Sequence, residues 1–537
     1  MKRIATPSIV ESLGMLFAAR KGTRFLLPVV LGTLPAPSLA QVNPVSFAPA
    51  VTYESNAQSV AVADVNGDGK PDLVITTCEN ECVAVLLGNG DGTFGTAVMY
   101  DSGGRIADSV AVADVNRDGK PDILVANECL NSVPFPCLNG EGAVGVLLNN
   151  GDGTFRPAVS YASGGSAGGA YFLAVADVNR DGKPDILVAN ECSNTDCLGR
   201  VSVLLGNGDG TFQPAVSYSS SGKFAFSLAV GDVNGDGKLD VLVVNLCADD
   251  FCVNGSVGVL LGNGDGTFQP ALSVRVGPDA LSVTVGDVNG DSKLDLIVGA
   301  DGPFAGLVNV LLGNGDGTFQ PAMTFDSGGT NPWSVALGDV NGDGRLDVLV
   351  ANRNVLSADR GTVGVLLGDG NGTFQPAMTF ASGGFSTTSV TLGDVNGDGK
   401  PDVVVASDVG GAGVLINTTT SPYKAFVQQP LDPDGRSVFK TNRGVVPVKF
   451  TLTRNDVPTC TLPSATIAVT RTGGVTPGPV DESIYMTNAD SGSNFRIDQN
   501  DCQYIYNLRA SALGVGTYRI DIRIYGFVVG SAVFALK

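Results

Sequence analysis

The chain has 537 residues and a formal net charge of −20, with 33 basic residues against 53 acidic ones and no histidine. That length allows more than one cored domain, and the acidic balance excludes a surface built for nucleic acid. The lack of histidine excludes His-based triads, His-ligated zinc and histidine acid–base chemistry, while 72 glycines with only 16% charged residues point to many turns between short strands.

The first 40 residues are expected to be an export signal. Lys2, Arg3, Arg20, Lys21 and Arg24 form a basic lead, the apolar run "FLLPVVLGTL" follows, and "APSLA" places Ser38 and Ala40 at cleavage positions, so the exported chain is expected to start at Gln41. The apolar run is too short for a permanent membrane helix, and no later segment is longer, so no integral membrane segment is expected. Of ten cysteines, eight fall in close pairs: Cys78/Cys82, Cys129/Cys137, Cys192/Cys197 and Cys247/Cys252, with Cys460 and Cys502 as a fifth pair. An even count with local pairing in an exported chain reads as disulfides, and a secreted or cell-surface location follows.

Self-similarity dominates what comes next. "DVNGDGKPD" at 64 returns as "DVNRDGKPD" at 114 and 177, "DVNGDGKLD" at 232, "DVNGDSKLD" at 287, "DVNGDGRLD" at 339 and "DVNGDGKPD" at 394. Between the copies lies "GNGDGTF" or a close variant, but only six times. Each unit holds four apolar runs of four to six residues bounded by Gly, Asn and Asp, such as "PAVSY", "SLAVGD", "DVLVVN" and "VGVLLG" around residue 232. Short Val-rich runs of this kind are strands, and seven units of four strands predict a seven-bladed β-propeller over 41–417. The last unit lacks an outer strand, whereas "SFAPAVTY" (46–53) near the start matches "TFQPAVSY" (211–218), so the N-terminal strand is expected to complete the last blade. Closing the ring also removes free sheet edges.

Alternating oxygen side chains at positions 1, 3 and 5, a carbonyl at 7 and a carboxylate at 9 can wrap a hard cation, with a glycine supplying the bend. Oxygen-only ligands favour Ca²⁺. The candidate ligands are Asp64, Asn66, Asp68 and Asp72; Asp114, Asn116, Asp118 and Asp122; Asp177, Asn179, Asp181 and Asp185; Asp232, Asn234, Asp236 and Asp240; Asp287, Asn289, Asp291 and Asp295; Asp339, Asn341, Asp343 and Asp347; and Asp394, Asn396, Asp398 and Asp402. Up to seven Ca²⁺ are therefore expected. The loop at Asp287 has Ser292 where the others have Gly, which predicts weaker binding there. Asn-Gly and Asp-Gly also make plain hairpin turns. That reading suffices for "GNGDGTF", which lacks the ninth-position Asp, but it leaves three carboxylates of each longer loop uncompensated.

On these loops and blade phrases the chain resembles the FG-GAP/VCBS repeat family, the calcium-binding propellers known from the head of integrin α-subunits. The resemblance covers 41–417 and implies that loop positions 1, 3, 5, 7 and 9 bind Ca²⁺, here Asp64, Asn66, Asp68, the Lys70 carbonyl and Asp72 and their later equivalents. The seven-loop count is more similar to bacterial-type arrays, and the chain has no Arg-Gly-Asp motif.

Strand alternation puts the calcium loops and the "NGDGT" turns on one face. The opposite face collects the loops that differ between units, carrying Tyr171, Phe172, Phe224, Phe226, Trp333 and Phe385 together with the four cysteine-braced loops. Variable loops on a rigid scaffold are where binding sites sit, although aromatics between blades are as readily packing. After the polar break 418–422, residues 423–537 read as alternating strands with one long-range cysteine pair, an immunoglobulin-like β-sandwich. "VPVKF" (446–450) is similar to the signature of PxKF-type domains, which implies an accessory role. The whole reads as an all-β, non-catalytic, calcium-binding adhesion or ligand-binding protein whose partner is an extracellular glycan or protein. A lyase-like enzyme acting on polysaccharide and a purely structural surface protein are the alternatives.

Overall fold

The computed structural model describes residues 45–536 apart from 55, 78–81, 131–140, 166–168, 192–196, 355–359, 430, 432–436, 440–444, 461–462, 464, 474–477, 480–494, 499–501 and 510–512. The expected export signal and Cys78, Cys137 and Cys192 lie outside the described residues. The elements are all strands, and residues Asn43–Lys537 form one compact unit.

Five four-stranded antiparallel sheets and one seven-stranded sheet, itself two four-stranded sets joined through a shared strand, follow one another along the repeats and give the propeller architecture. In the first, Val60–Ala63, Asp72–Thr77, Cys82–Leu86 and Val98–Asp101 pair in chain order. The second strand of each sheet is buried on both faces, which is why "DLVIT", "DILVA" and "DVLVV" read as unbroken apolar runs. Burying each Val, Leu or Ile is worth about 1.5–3 kcal/mol. The first strands line up side by side around the centre, from the first sheet to the seventh and back to the first. The third and fourth sheets share the 16-residue strand Val216–Gly231, which is outermost in one and innermost in the next and breaks its register near Ser221 and Phe224, both at positive φ.

The ring closes as the sequence implied. Strand Val51–Tyr53 pairs with Gly411–Leu415 of the seventh sheet, with Val51 opposite Val414. The seam repeats the chemistry used between all neighbouring blades. The Phe of "GDGTF" packs edge-on against the Tyr of the preceding outer strand, as in Tyr100–Phe155, Tyr161–Phe212 and Tyr218–Phe268. Across the seam Tyr53 meets Phe94 in the same way, and Phe47 stands against Phe380. Buried Ser–Asn pairs add a second clamp: Ser102 donates to Asn127 Oδ1 at 2.7 Å and Asn127 returns a hydrogen bond to the Ser102 carbonyl, repeated at Ser163–Asn190 and Ser327–Asn352.

Residues after 422 build two five-stranded sheets over a shared core that includes Val446, Val448, Tyr506, Tyr518, Ile520 and Phe534. Cys460 and Cys502 are joined there, and Cys247 and Cys252 in the fourth blade. Cys129 and Cys197 are also disulfide-bonded. Cys82 is a free thiol among the described residues, buried in the strand core where burial pushes its pKa up; its expected partner Cys78 lies outside the described residues.

Candidate functional site

At the centre of the variable-loop face, the first strand carries a one-residue register break in every blade but the first. The breaks fall at Asp108, Tyr171, Phe226, Leu281, Trp333 and Thr388. A bulge turns its extra side chain out of the pleat, and all six line one axial cavity of about 110 Å³, joined by Gln58 from the first blade. Each is the residue six before the first Asp of its blade's loop, so one repeat position supplies a different side chain from every blade.

The chemistry of that ring is lopsided. Tyr171, Phe226 and Trp333 form an edge-to-face chain, with centroids 5.1 Å and 6.3 Å apart. In the blade next to that of Tyr171, Asp108 Oδ2 is buried without a hydrogen-bond partner. Burial drives its carboxyl well above the usual range, and the charges of Glu128 and Glu191 raise it further. Glu128 and Glu191 are themselves raised by burial, and the Tyr171 hydroxyl donates to Glu128. On the other rim the Arg353 guanidinium lies 4.5 Å from the Trp333 ring centre and pairs with Asp408 at 2.7 Å, and Asp408 also accepts from Gln58. A buried carboxyl oxygen without a partner beside aromatic rings has the chemistry to accept a donated hydrogen bond or a cationic group.

On the opposite face the seven Asp-rich loops share one internal design. Asp64 accepts from the amides of Gly67, Asp68 and Gly69, Asn66 Oδ1 from Asp68, and Asp68 Oδ1 from Lys70. The ninth residue is a bridge: Asp72 is fully buried, with one oxygen on the Val65 amide at 2.9 Å and the other on the Gly88 amide at 2.7 Å. It therefore ties the loop to the "NGDGT" turn of its own blade, and Asp122, Asp185, Asp240, Asp295, Asp347 and Asp402 do the same. Burial raises all seven, followed by repulsion from the loop's other carboxylates. Asp347 is pushed up to about 8 and Asp402 to about 6. The seventh-position Lys reaches the fifth-position Asp at 3.1–4.0 Å in six loops, exposed pairs worth at most about 1 kcal/mol. Among the described residues no group of three or more carboxylates is placed to hold a metal ion by itself, so a cation in a loop would also draw on the Asn side-chain oxygen and a backbone carbonyl. The "NGDGT" turns are self-contained: Asp91 accepts from both the amide and the hydroxyl of Thr93, and these bonds hold its carboxyl below the ordinary range.

The repeat decides the family. The FG-GAP-like repeat model matches six times, at residues 64–125, 137–188, 190–243, 246–298, 287–350 and 352–405. The chain belongs to the FG-GAP-like repeat family. It is also 29% identical over 157 residues to human phosphatidylinositol-glycan-specific phospholipase D. That similarity spans 25% of this chain and 18% of the relative, so the chain covers less than a fifth of that protein.

Within the FG-GAP-like frame, the aromatics singled out on the variable face divide. Tyr171, Phe172, Phe226 and Trp333 reach the axial cavity, whereas Phe385 sits outward with the Arg360 guanidinium 5.8 Å from its ring centre. Sequence reasoning missed Asp108, Glu128, Glu191, Arg353 and Asp408. The spacing from the loop aspartate would have found Asp108, and the phrase "PDILVANEC", present at both 121–129 and 184–192, would have paired Glu128 with Glu191, while Arg353 and Asp408 are second-strand ends with no such signal. It also missed two rings at loop tips of adjacent blades, Phe251 at 85% and Phe304 at 95% exposure.

Proposed function

We propose that this chain is an exported, calcium-stabilised, non-catalytic binding protein that holds a protein partner on its variable-loop face by taking a basic side chain into the axial cavity. The observation that carries the reading is Asp108, a buried carboxyl with an unpartnered oxygen in a ring that also presents Tyr171, Phe226 and Trp333. The exposed Phe251 and Phe304 rings add apolar anchors at the loop tips, and aromatics of this kind concentrate binding energy at protein interfaces. The loop carrying Phe251 is braced by the Cys247–Cys252 bridge, so little order has to be imposed on binding.

Calcium belongs to the other face. The loop donors are oxygen throughout, and each carboxylate oxygen keeps lone pairs beyond those its amides use. A cation held by positions 1, 3, 5, 7 and 9 of a loop would supply positive charge among carboxylates that now raise one another. The phospholipase D relative's activity is not carried over, because the similarity spans only 18% of that protein.

The test is a peptide array and a glycan array probed with the exported chain in millimolar calcium. Capture on Lys- or Arg-bearing peptides, lost in Asp108→Asn, is the expected result. Capture on a defined sugar class with no dependence on Asp108 would replace the protein-partner reading with a lectin-like one.

A further inference from the structure

The seven loops are not equivalent. In the open loops a methyl group added at Gly67, Gly69, Gly119 or Gly237 would meet nothing within 4 Å. In the sixth loop the same addition at Gly342 would fall 2.8 Å from the Phe527 ring, and at Gly344 2.3 Å from the Tyr525 ring. In the seventh, a methyl group added at Gly399 would fall 2.8 Å from the Gly526 carbonyl oxygen, while one at Gly397 would meet nothing within 4 Å. Tyr525, Gly526 and Phe527 lie at and just beyond the turn between the last two strands, Gly516–Ile524 and Phe527–Leu536. Asn341, the third residue of the sixth loop, is completely buried, and its Nδ2 has no hydrogen-bond partner.

We infer that this C-terminal hairpin is a lid on the sixth and seventh loops, and that its closure and the cation loading of those two loops stabilise each other. The inference rests on the calcium reading above. Its physical basis is desolvation. The closed lid lies over the loop that carries Asp339 and Asp343, and like charges withdrawn from water there oppose closure unless a cation accompanies them. By linkage, whatever the cation contributes to closing the lid, the lid returns as affinity for the cation. The five open loops have no such partner, so the chain holds two classes of site, two covered and five open.

The experiment uses the full exported chain. Calcium titration calorimetry on the wild type should resolve two sites at least 10-fold tighter than the rest, and Tyr525→Ala should weaken only those two. Limited proteolysis across 418–422 should run at least 10-fold faster in chelator than in calcium. In calcium, Asp343→Ala should release the lid, while Asp181→Ala in the open third loop should leave it closed. A single class of sites untouched by Tyr525→Ala, equal cleavage with and without calcium, or equal release by Asp181→Ala overturns the lid. Calcium uptake with any of those results removes the lid alone, whereas no calcium uptake at all removes the calcium reading with it.

Discussion

The two faces of the propeller use repetition in opposite ways. On the loop face, one nine-residue phrase is written seven times, and its carboxylates are spent on the blade itself: the ninth Asp joins its own loop to its own turn through two buried hydrogen bonds. On the other face, one repeat position is written seven different ways, and the side chains converge on a common cavity. Sameness on the first face makes seven interchangeable structural joints. Difference on the second makes one asymmetric site, in which Tyr171 stands beside Asp108 and Glu128 while Trp333 stands under the Arg353–Asp408 pair. A closed ring needs the first to hold the second in place.

The sharpest way to break that division is to remove the cations. At 10 mM calcium and site constants of roughly 10⁻⁴–10⁻³ M, each loaded loop stabilises the fold by about 1–3 kcal/mol. Chelator should therefore lower the thermal midpoint by more than about 10 °C, read by circular dichroism; an unchanged midpoint would mean that the loops stand on their amides alone. Next in size is the bridge. Asp240→Ala leaves the Val233 and Gly262 amides buried without an acceptor and should cost about 2–5 kcal/mol, measured by denaturant unfolding with and without calcium. A loss seen only in calcium would make Asp240 a ligand and not a bridge.

A smaller effect is expected on the variable face. Asp108→Asn should reduce affinity for a basic peptide about 10-fold, close to 1.4 kcal/mol, without lowering stability. Its sign with pH is set by burial. The folded-state pKa of Asp108 is raised, so its stability contribution is present below the ordinary carboxylate value and lost as pH rises through the raised one. Binding of a cationic group runs the other way, strengthening as Asp108, Glu128 and Glu191 lose their protons. The wild-type pH profile of binding should therefore rise, and the Asp108→Asn profile should be flatter. The smallest effect belongs to Ser292, which holds φ +66° where the other loops have Gly. Ser292→Gly relieves that strain against glycine's greater unfolded entropy and should gain at most about 1 kcal/mol, seen as a small upward shift of midpoint.

Much of the scaffold was legible because the repeat amplifies weak local signals. The closing strand was visible in "SFAPAVTY", and Val51–Tyr53 pairs where that match places it. The ninth-position Asp was legible as special, but its bridging role was not, since its partners are backbone amides, one of them 16 residues away at Gly88. Asp108 was hidden for a different reason. It stands in a strand whose alternation a bulge interrupts, so period-two reading assigns it no face.

Trp333 is the only tryptophan in the chain and lies in the axial ring, so its fluorescence reports on the cavity directly. The most direct test of the account is a fluorescence titration of the calcium-loaded chain with N-acetyl-arginine amide, repeated on Asp108→Asn. The account predicts a saturable change in the wild type that Asp108→Asn weakens about 10-fold. A response that never saturates, or that Asp108→Asn leaves untouched, would contradict it.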